Sequence, residues 1–199
     1  MKNREAKPTL WFVRHGESTW NASRLVQGQA GGPVLTEKGR REAALLTERL
    51  AGISVGAIYT SDLDRARETA SIVGCALGLP LHIDPALRER RFGAAEGHPL
   101  SSLDPAASGI EHHRVINADA RPPAGESLRQ LYGRVRAFIT RLHLDETDRD
   151  VLVVTHGGVI RVAEAYCNGV AVDDMAWGPV ANASVWGLSR PNPFVAVVQ

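Results

Sequence analysis

Cysteine is nearly absent from this chain of 199 residues: Cys75 and Cys167 are its two examples, and no metal-type spacing relates them. Neither a disulfide framework nor a thiolate zinc site has support, and both residues are expected to be buried thiols in a reducing compartment. Long apolar runs are lacking as well. The run near the N-terminus, Leu10 to Val13, is cut off by Arg14 and is too short for a signal segment or a membrane span, so a cytoplasmic protein without a membrane partner is expected. Charge of one sign is missing too: 23 basic against 22 acidic side chains leave a net +1, which provides no general field for nucleic acid or anionic lipid. Any anion site must therefore be local. Low-complexity tracts and internal repeats are not visible, and 44% hydrophobic with 23% charged residues is the composition of a globular chain. Residues 1–199 suit one domain, able to bury roughly 70% of the surface that its unfolded form exposes.

What is present is an alternation of strand and helix patterns. Thr9 to Val13 reads as a buried strand entering a turn at Gly16. Thr36 caps a helix over 37–50, whose Ala43, Ala44, Leu46 and Leu50 fall near one face and which Gly52 stops. Gly56 to Thr60 is a strand. Ser61 is placed to cap a helix over 62–77, with Asp62 and Asp64 in its first turn and Gly78 and Pro80 ending it. Leu81 to Ile83 suits a short edge strand, and residues 93–123 follow no period and form an excursion, taken as a substrate-covering insertion at about 92–124. Helical spacing returns over 125–143. Val151 to Thr155 is an apolar strand, Gly157 to about Cys167 a helix, and Ala183 to Leu188 and Phe194 to Val198 are closing strands around Arg190-Pro191-Asn192-Pro193. The pattern predicts a three-layer α/β/α sandwich around a mostly parallel sheet, with ligands beyond the carboxyl ends of the strands.

Two strand ends are alike. One runs into Arg14-His15-Gly16 and the other into Thr155-His156-Gly157-Gly158, so a glycine follows each histidine and lets the backbone turn. A single pair of this kind is unremarkable in a turn. Two matched pairs can bring both histidines to one pocket, where helix N-termini favour an anion. A third strand end contributes Arg65; with Arg14 it supplies the planar donor forks that suit a phosphoryl group, whereas Arg67 and Glu68 read as solvated helix charges. Asp62 and Asp64 fit dipole complementation better than a metal site, and His98, His112 and His113 on the excursion read as solvent-facing or substrate-contacting. In Leu87-Arg88-Glu89-Arg90-Arg91 a carboxylate sits among three arginines. On spacing alone this is a surface ion-pair cluster; beside a histidine nucleophile it becomes a candidate proton donor.

These residues resemble the histidine phosphatase superfamily, in the branch shared with cofactor-dependent phosphoglycerate mutases. Arg14-His15-Gly16-Glu17-Ser18-Thr19-Trp20-Asn21 is similar to the family's nucleophile segment, Leu35-Thr36-Glu37-Lys38-Gly39 to the helix that follows, and Ser61-Asp62-Leu63-Asp64-Arg65-Ala66 to its second phosphate-binding segment. Leu87-Arg88-Glu89 resembles its proton-donor segment, the run from Thr155 through Gly158 to Arg161 its second histidine, and Asn182-Ala183-Ser184 its closing segment. The resemblance implies that His15 is phosphorylated, that Arg14, Asn21, Arg65 and Gly157 hold the phosphoryl group with His156, and that Glu89 protonates the leaving group and later activates water. It implies no metal and no cofactor, with a small phosphate ester as partner; a homodimer is compatible with it. Two segments depart from the family pattern: Gln27-Gly28 leads into Gln29-Ala30-Gly31-Gly32, and Ala94-Ala95-Glu96-Gly97 lacks the usual aromatic residue. Both lie where substrate is expected, so Gln27 and Gly28 are candidate specificity residues. Hydrolysis of a small phosphorylated metabolite is expected over isomerisation, because the excursion from Phe92 to Pro123 carries Arg114 and Arg121 as its only strong cations. A mutase and a non-catalytic binder of the same fold are the alternatives.

Overall fold

The computed structural model describes residues 8–142 and 149–189. A five-stranded sheet forms from β1 (Leu10–Arg14), β2 (Val55–Thr60), β3 (Leu81–Ile83), β6 (Asp150–Thr155) and β7 (Val185–Leu188), in the order β3-β2-β6-β1-β7. β3, β2, β6 and β1 run parallel, and β7 closes the sheet antiparallel to β1. A separate antiparallel pair, β4 (Ile110–Glu111) and β5 (Arg114–Val115), lies within the excursion.

Alternation along each strand decides which helices cover which face. Leu10 and Phe12 of β1 and Val151 and Val153 of β6 point into one core with α5 (Leu128–Arg141) and α6 (Gly157–Cys167). Val13, Leu152 and Val154 point the other way, against Leu46 of α2 (Glu37–Arg49) and Ala70 and Val73 of α3 (Asp64–Leu77). The result is the three-layer sandwich predicted from the sequence. Two short helices, α1 (Thr19–Ala22) and α4 (Pro105–Ser108), lie outside these layers.

The helix ends follow local chemistry. Thr36 caps α2 through Gly39 N–H, Ser127 and Gln130 form a reciprocal capping box on α5, and Gly78 ends α3 in the left-handed conformation. Other expectations are corrected. α3 begins at Asp64 behind Leu63, and Ser61 is not its cap: the Ser61 hydroxyl is drawn to His156, while Asp62 leaves the helix to pair with Arg88. Ala44 is exposed, since the 100° step turns it away from the face that carries Ala43 and Leu46. Cys75 is exposed rather than buried, on the outer side of α3. The strand expected over 194–198, the turn at 190–193 and His143 lie outside the described residues.

Gly16 and Gly39 allow the loop after β1 to lie directly on the start of α2. A Cβ on Gly39 would stand 2.1 Å from the Glu17 carbonyl oxygen, and one on Gly16 would stand 2.3 Å from that of Gly39. Gly39→Ala should therefore lower stability by about 1–3 kcal/mol, the usual cost of overpacking. Gly133→Ala, in α5 with open space around it, should be neutral or stabilise by up to about 1 kcal/mol. Thermal denaturation of the two variants checks the contrast; equal melting temperatures would contradict it.

Candidate active site

The site is set by adjacency in the sheet. β1 and β6 are parallel neighbours with Arg14 opposite Thr155, and His15 N–H donates to the Thr155 carbonyl at 2.9 Å. The residue after each strand is therefore a histidine beside a histidine: the rings of His15 and His156 stand 5.2 Å apart, inclined by 62°. β2 borders β6 on its other side, and its end delivers Ser61, whose hydroxyl lies 2.7 Å from His156 Nε2.

His15 is 2% exposed, and its Nδ1 lies 2.7 Å from the Gly16 carbonyl oxygen. A carbonyl can only accept, so Nδ1 carries the proton and the Nε2 lone pair is left free. Burial, then the positive charges of Arg65 and Arg14, hold this imidazole well below its ordinary pKa. His156 is lowered for the same reasons, with His15 contributing. Both rings are neutral at neutral pH. With Ser61 donating to Nε2, the proton of His156 stays on Nδ1.

Among the described residues, Arg14 Nε, Arg65 Nε and His156 Nδ1 are the buried side-chain nitrogens without a hydrogen-bond partner. The charges of Arg14 and Arg65 act on the His15 imidazole, and the His156 ring stands beside it. Arg65 Nη2 donates to the Gly28 carbonyl at 2.7 Å, and Arg14 Nη1 donates to the Val180 carbonyl. Each guanidinium is thus oriented by a neutral acceptor and keeps its net charge. Burial pulls Arg65 down to about 10, which leaves it protonated at pH 7. Buried donors are normally satisfied, so three such exceptions near one histidine make a candidate receptor for an anion.

Glu89 faces this receptor from the turn before the excursion. Its Oε2 accepts from Gly158 N–H at 3.1 Å, at the start of α6, and its Oε1 accepts from Arg90 N–H at 2.8 Å. The turn is fixed from behind: Arg134 donates to the carbonyls of Ala86, Arg88 and Glu89 and forms a two-pronged pair with Glu126. The three arginines around Glu89 therefore do different things. Arg88 pairs with Asp62, Arg90 is fully buried against the carbonyls of Glu126, Ser108 and Ala120, and Arg91 is exposed.

A cavity of about 500 Å³ opens over these groups. Arg14, Asn21, Glu89 and Gly157 line it, as do Gln27 and Gly28, whereas His15, Arg65 and His156 are buried and are not among its lining residues. Asn21 Oδ1 accepts from Ser18 N–H and from Asn182 Nδ2, and Gln27 Oε1 accepts from the Ser18 hydroxyl at 2.7 Å. Glu96 holds the 27–29 turn against the 92–93 turn by accepting from Gln29, Phe92 and Gly93 N–H groups. His113 lines the cavity; His98 and His112 are exposed. Three contributors that lie within the family-like segments have no role assigned to them from the sequence. Ser61 reads as a helix cap, and Asn182 binds the His15 carbonyl from a loop without periodicity. Arg161 lies one helical turn after Gly157, a spacing that could have revealed it.

An α/β sandwich with paired histidines at adjacent parallel strand ends, beside Arg14 and Arg65 that no carboxylate of the described residues pairs with, is the arrangement to set against known proteins. The chain belongs to the histidine phosphatase superfamily (branch 1), which residues 10–193 match. It is 38% identical over 149 residues to the probable phosphoglycerate mutase GpmB of Yersinia enterocolitica, covering 74% of this chain and 69% of that one. Among solved structures it is similar to the mycobacterial glucosyl-3-phosphoglycerate phosphatase in complex with VO3 (TM-score 0.78, 31% identity, 92% and 93% of the two chains). It is also similar to Bacillus stearothermophilus YhfR (TM-score 0.76, 34% identity, 89% of each chain). Among the described residues no helix is long and apolar enough to cross a membrane.

The depressed imidazole values carry a sign. As pH falls through about 6.5, an unfolded histidine binds a proton. Folded His15 and His156 do not, so folding stability is retained above that pH and declines on acidification below it. Nitrogen-15 NMR of the rings at pH 6 should find His15 neutral, with the proton on Nδ1. An imidazolium signal there would contradict the geometry.

Proposed function

We propose that the chain is a metal-independent phosphomonoesterase that hydrolyses a small phosphorylated metabolite through a phosphohistidine on His15. The observation that carries this reading is the ring of partnerless nitrogens on Arg14, Arg65 and His156 around a neutral His15 whose Nε2 is free. In the first step Nε2 attacks phosphorus, the P–O ester bond breaks, and Glu89 gives its proton to the departing oxygen. In the second, water attacks the P–N bond, Glu89 takes the water's proton, and inorganic phosphate leaves with His15 restored. Arg14 and Arg65 neutralise the equatorial oxygens, and Asn21 and the start of α6 at Gly157 add donors. Glu89 lies on the cavity side with its carboxylate already aligned by Gly158 and Arg90.

Hydrolysis is favoured over isomerisation by the outer wall. A mutase has to retain a second phosphoryl group while the first is transferred. Beyond Arg14, the permanent cation lining this cavity is Arg161, among side chains such as Phe92, Leu100, Leu103, Ile110 and Trp177. A mutase reading draws on the name of the Yersinia relative. It requires isomerisation of phosphoglycerate, primed by a bisphosphate, to outpace release of inorganic phosphate.

Turnover of a phosphomonoester panel in EDTA tests the reading. Activity should survive chelation, fall in vanadate, which mimics the transferring phosphoryl group, and vanish in His15→Ala. Glu89→Gln should slow alkyl phosphates by about 10²- to 10⁴-fold and p-nitrophenyl phosphate far less, because a phenolate needs little protonation. Restoration of EDTA-treated protein by magnesium or zinc, or full activity of His15→Ala, would overturn the proposal.

A further inference from the structure

Leu25, Phe92, Leu100 and Leu103 belong to neither of the hydrophobic cores on the two faces of the sheet, yet all line the cavity with Glu89. Ile110 and Trp177, at the edge of the core under α5 and α6, complete the same wall. Leu100 is 59% exposed, which makes it the most exposed large aliphatic side chain among the described residues. One exposed leucine is ordinary on a protein surface, but apolar side chains gathered from separate segments around one cavity are not.

Main-chain pairing holds this wall in place without help from the strand ends. Val26 N–H donates to the His98 carbonyl and Leu100 N–H to the Arg24 carbonyl, both at 2.9 Å, and Leu25 stands opposite Pro99 in an antiparallel bridge. On the other side β4 and β5 dock on residues 175–177: Trp177 N–H donates to the His113 carbonyl at 2.7 Å, and Arg114 stands opposite Ala176. The wall is thus part of the fold rather than something that a ligand must order.

The charged groups gather at the start of α6. A Cβ on Gly157 would stand 3.2 Å from Arg161 Nη1 and 3.9 Å from Arg14 Nε, so both guanidinium groups lie over the first residue of the helix. A Cβ on Gly158 would stand 2.2 Å from Glu89 Oε1, which puts the proton donor beside them. With the phosphoryl group on the arginines and the ester oxygen at Glu89, the carbon chain of the alcohol is left with the remainder of the cavity, which is the apolar wall. There the polar side chains are Gln27, Ser108 and His113. Each already bonds within the protein, to the Ser18 hydroxyl, the Pro105 carbonyl and the Trp177 carbonyl. Hydroxyl groups on the alcohol would lose water there for few partners, whereas each methylene would gain by leaving water.

Resting on the phosphomonoesterase reading, we propose that this wall is the binding site for an apolar leaving alcohol, so that the chain prefers phosphate monoesters of aliphatic or aromatic alcohols to those of polyols. The arginines and histidines act on the phosphoryl group, which every ester shares, and the wall makes the choice among esters.

The n-alkyl phosphates from ethyl to hexyl test this, because the leaving alkoxide keeps the same chemistry while the apolar surface grows. Each methylene should raise kcat/KM about two- to fourfold, according to how fully it is buried, so hexyl phosphate should exceed ethyl phosphate by about 15- to 250-fold. Sorbitol 6-phosphate, with a hydroxyl on every other carbon of an equally long chain left unphosphorylated, should fall below hexyl phosphate. Leu100→Gln, at a site too exposed to endanger the fold, should cost hexyl phosphate about three- to tenfold more than ethyl phosphate. Leu45→Gln, at an exposed leucine of α2 outside the cavity, should leave the ratio of the two unchanged. A flat series, a preference for sorbitol 6-phosphate, or an equal loss on both alkyl esters in Leu100→Gln would overturn the inference. In those cases a phosphohistidine formed on His15 with any of the esters leaves the phosphomonoesterase reading standing; if no ester is hydrolysed, both fall.

Discussion

The hydrogen bond from His15 N–H to the Thr155 carbonyl, the last rung between β1 and β6, is the constraint on which the site depends. Parallel pairing makes both chains leave the sheet on the same side, and the register places Arg14 opposite Thr155. A shift of one residue would turn every side chain of β1 to the other face. Leu10 and Phe12 would leave the core under α5 and α6, and His15 would no longer face His156. The same burial that fixes the fold therefore fixes His15 beside His156. Thr155 carries the constraint one step further, because its hydroxyl donates to the Leu87 carbonyl and ties the turn bearing Glu89 to the end of β6.

The electrostatics follow from which acceptors the buried arginines meet. Elsewhere, arginines such as Arg88 and Arg134 are neutralised by carboxylates. Arg14, Arg65 and Arg161 instead donate to single carbonyls, of Val180, Gly28 and Gly178. A carbonyl orients a guanidinium without cancelling its charge, so positive charge is kept beside the two histidines in a chain whose net charge is only +1. The same field, added to burial, keeps both imidazoles neutral and leaves His15 Nε2 able to share its lone pair. Burying positive charge without a partner is costly, and a bound dianion relieves that cost. Arg90 shows the contrasting use: each of its three nitrogens donates to a carbonyl, of residues 126, 108 and 120, which anchors the excursion, and the side chain is buried without lining the cavity.

Much of this was legible in the sequence because it is local. The strand–histidine–glycine repeats, the Thr36 cap and the left-handed stop at Gly78 need only a few consecutive residues to be read. What sequence could not supply depends on contacts across the chain. Ser61 looks like a helix cap until β2 is seen to lie beside β6, which brings its hydroxyl to His156, 95 residues away. The arginines flanking Glu89 read as one surface cluster because spacing cannot tell a partner at Asp62 from carbonyls on the excursion. Cys75 is exposed although cysteine is usually buried, because a side chain on an amphipathic helix is buried only if its angle faces the sheet.

The most direct test of the central claim is to mix the protein with a phosphomonoester, quench it in alkali within the first turnover, where phosphohistidine survives, and map the modified site by mass spectrometry. The account predicts a phosphoryl group on His15 at Nε2, formed and lost at rates compatible with turnover. Steady release of inorganic phosphate with no phosphoryl group on His15 at any time would contradict it.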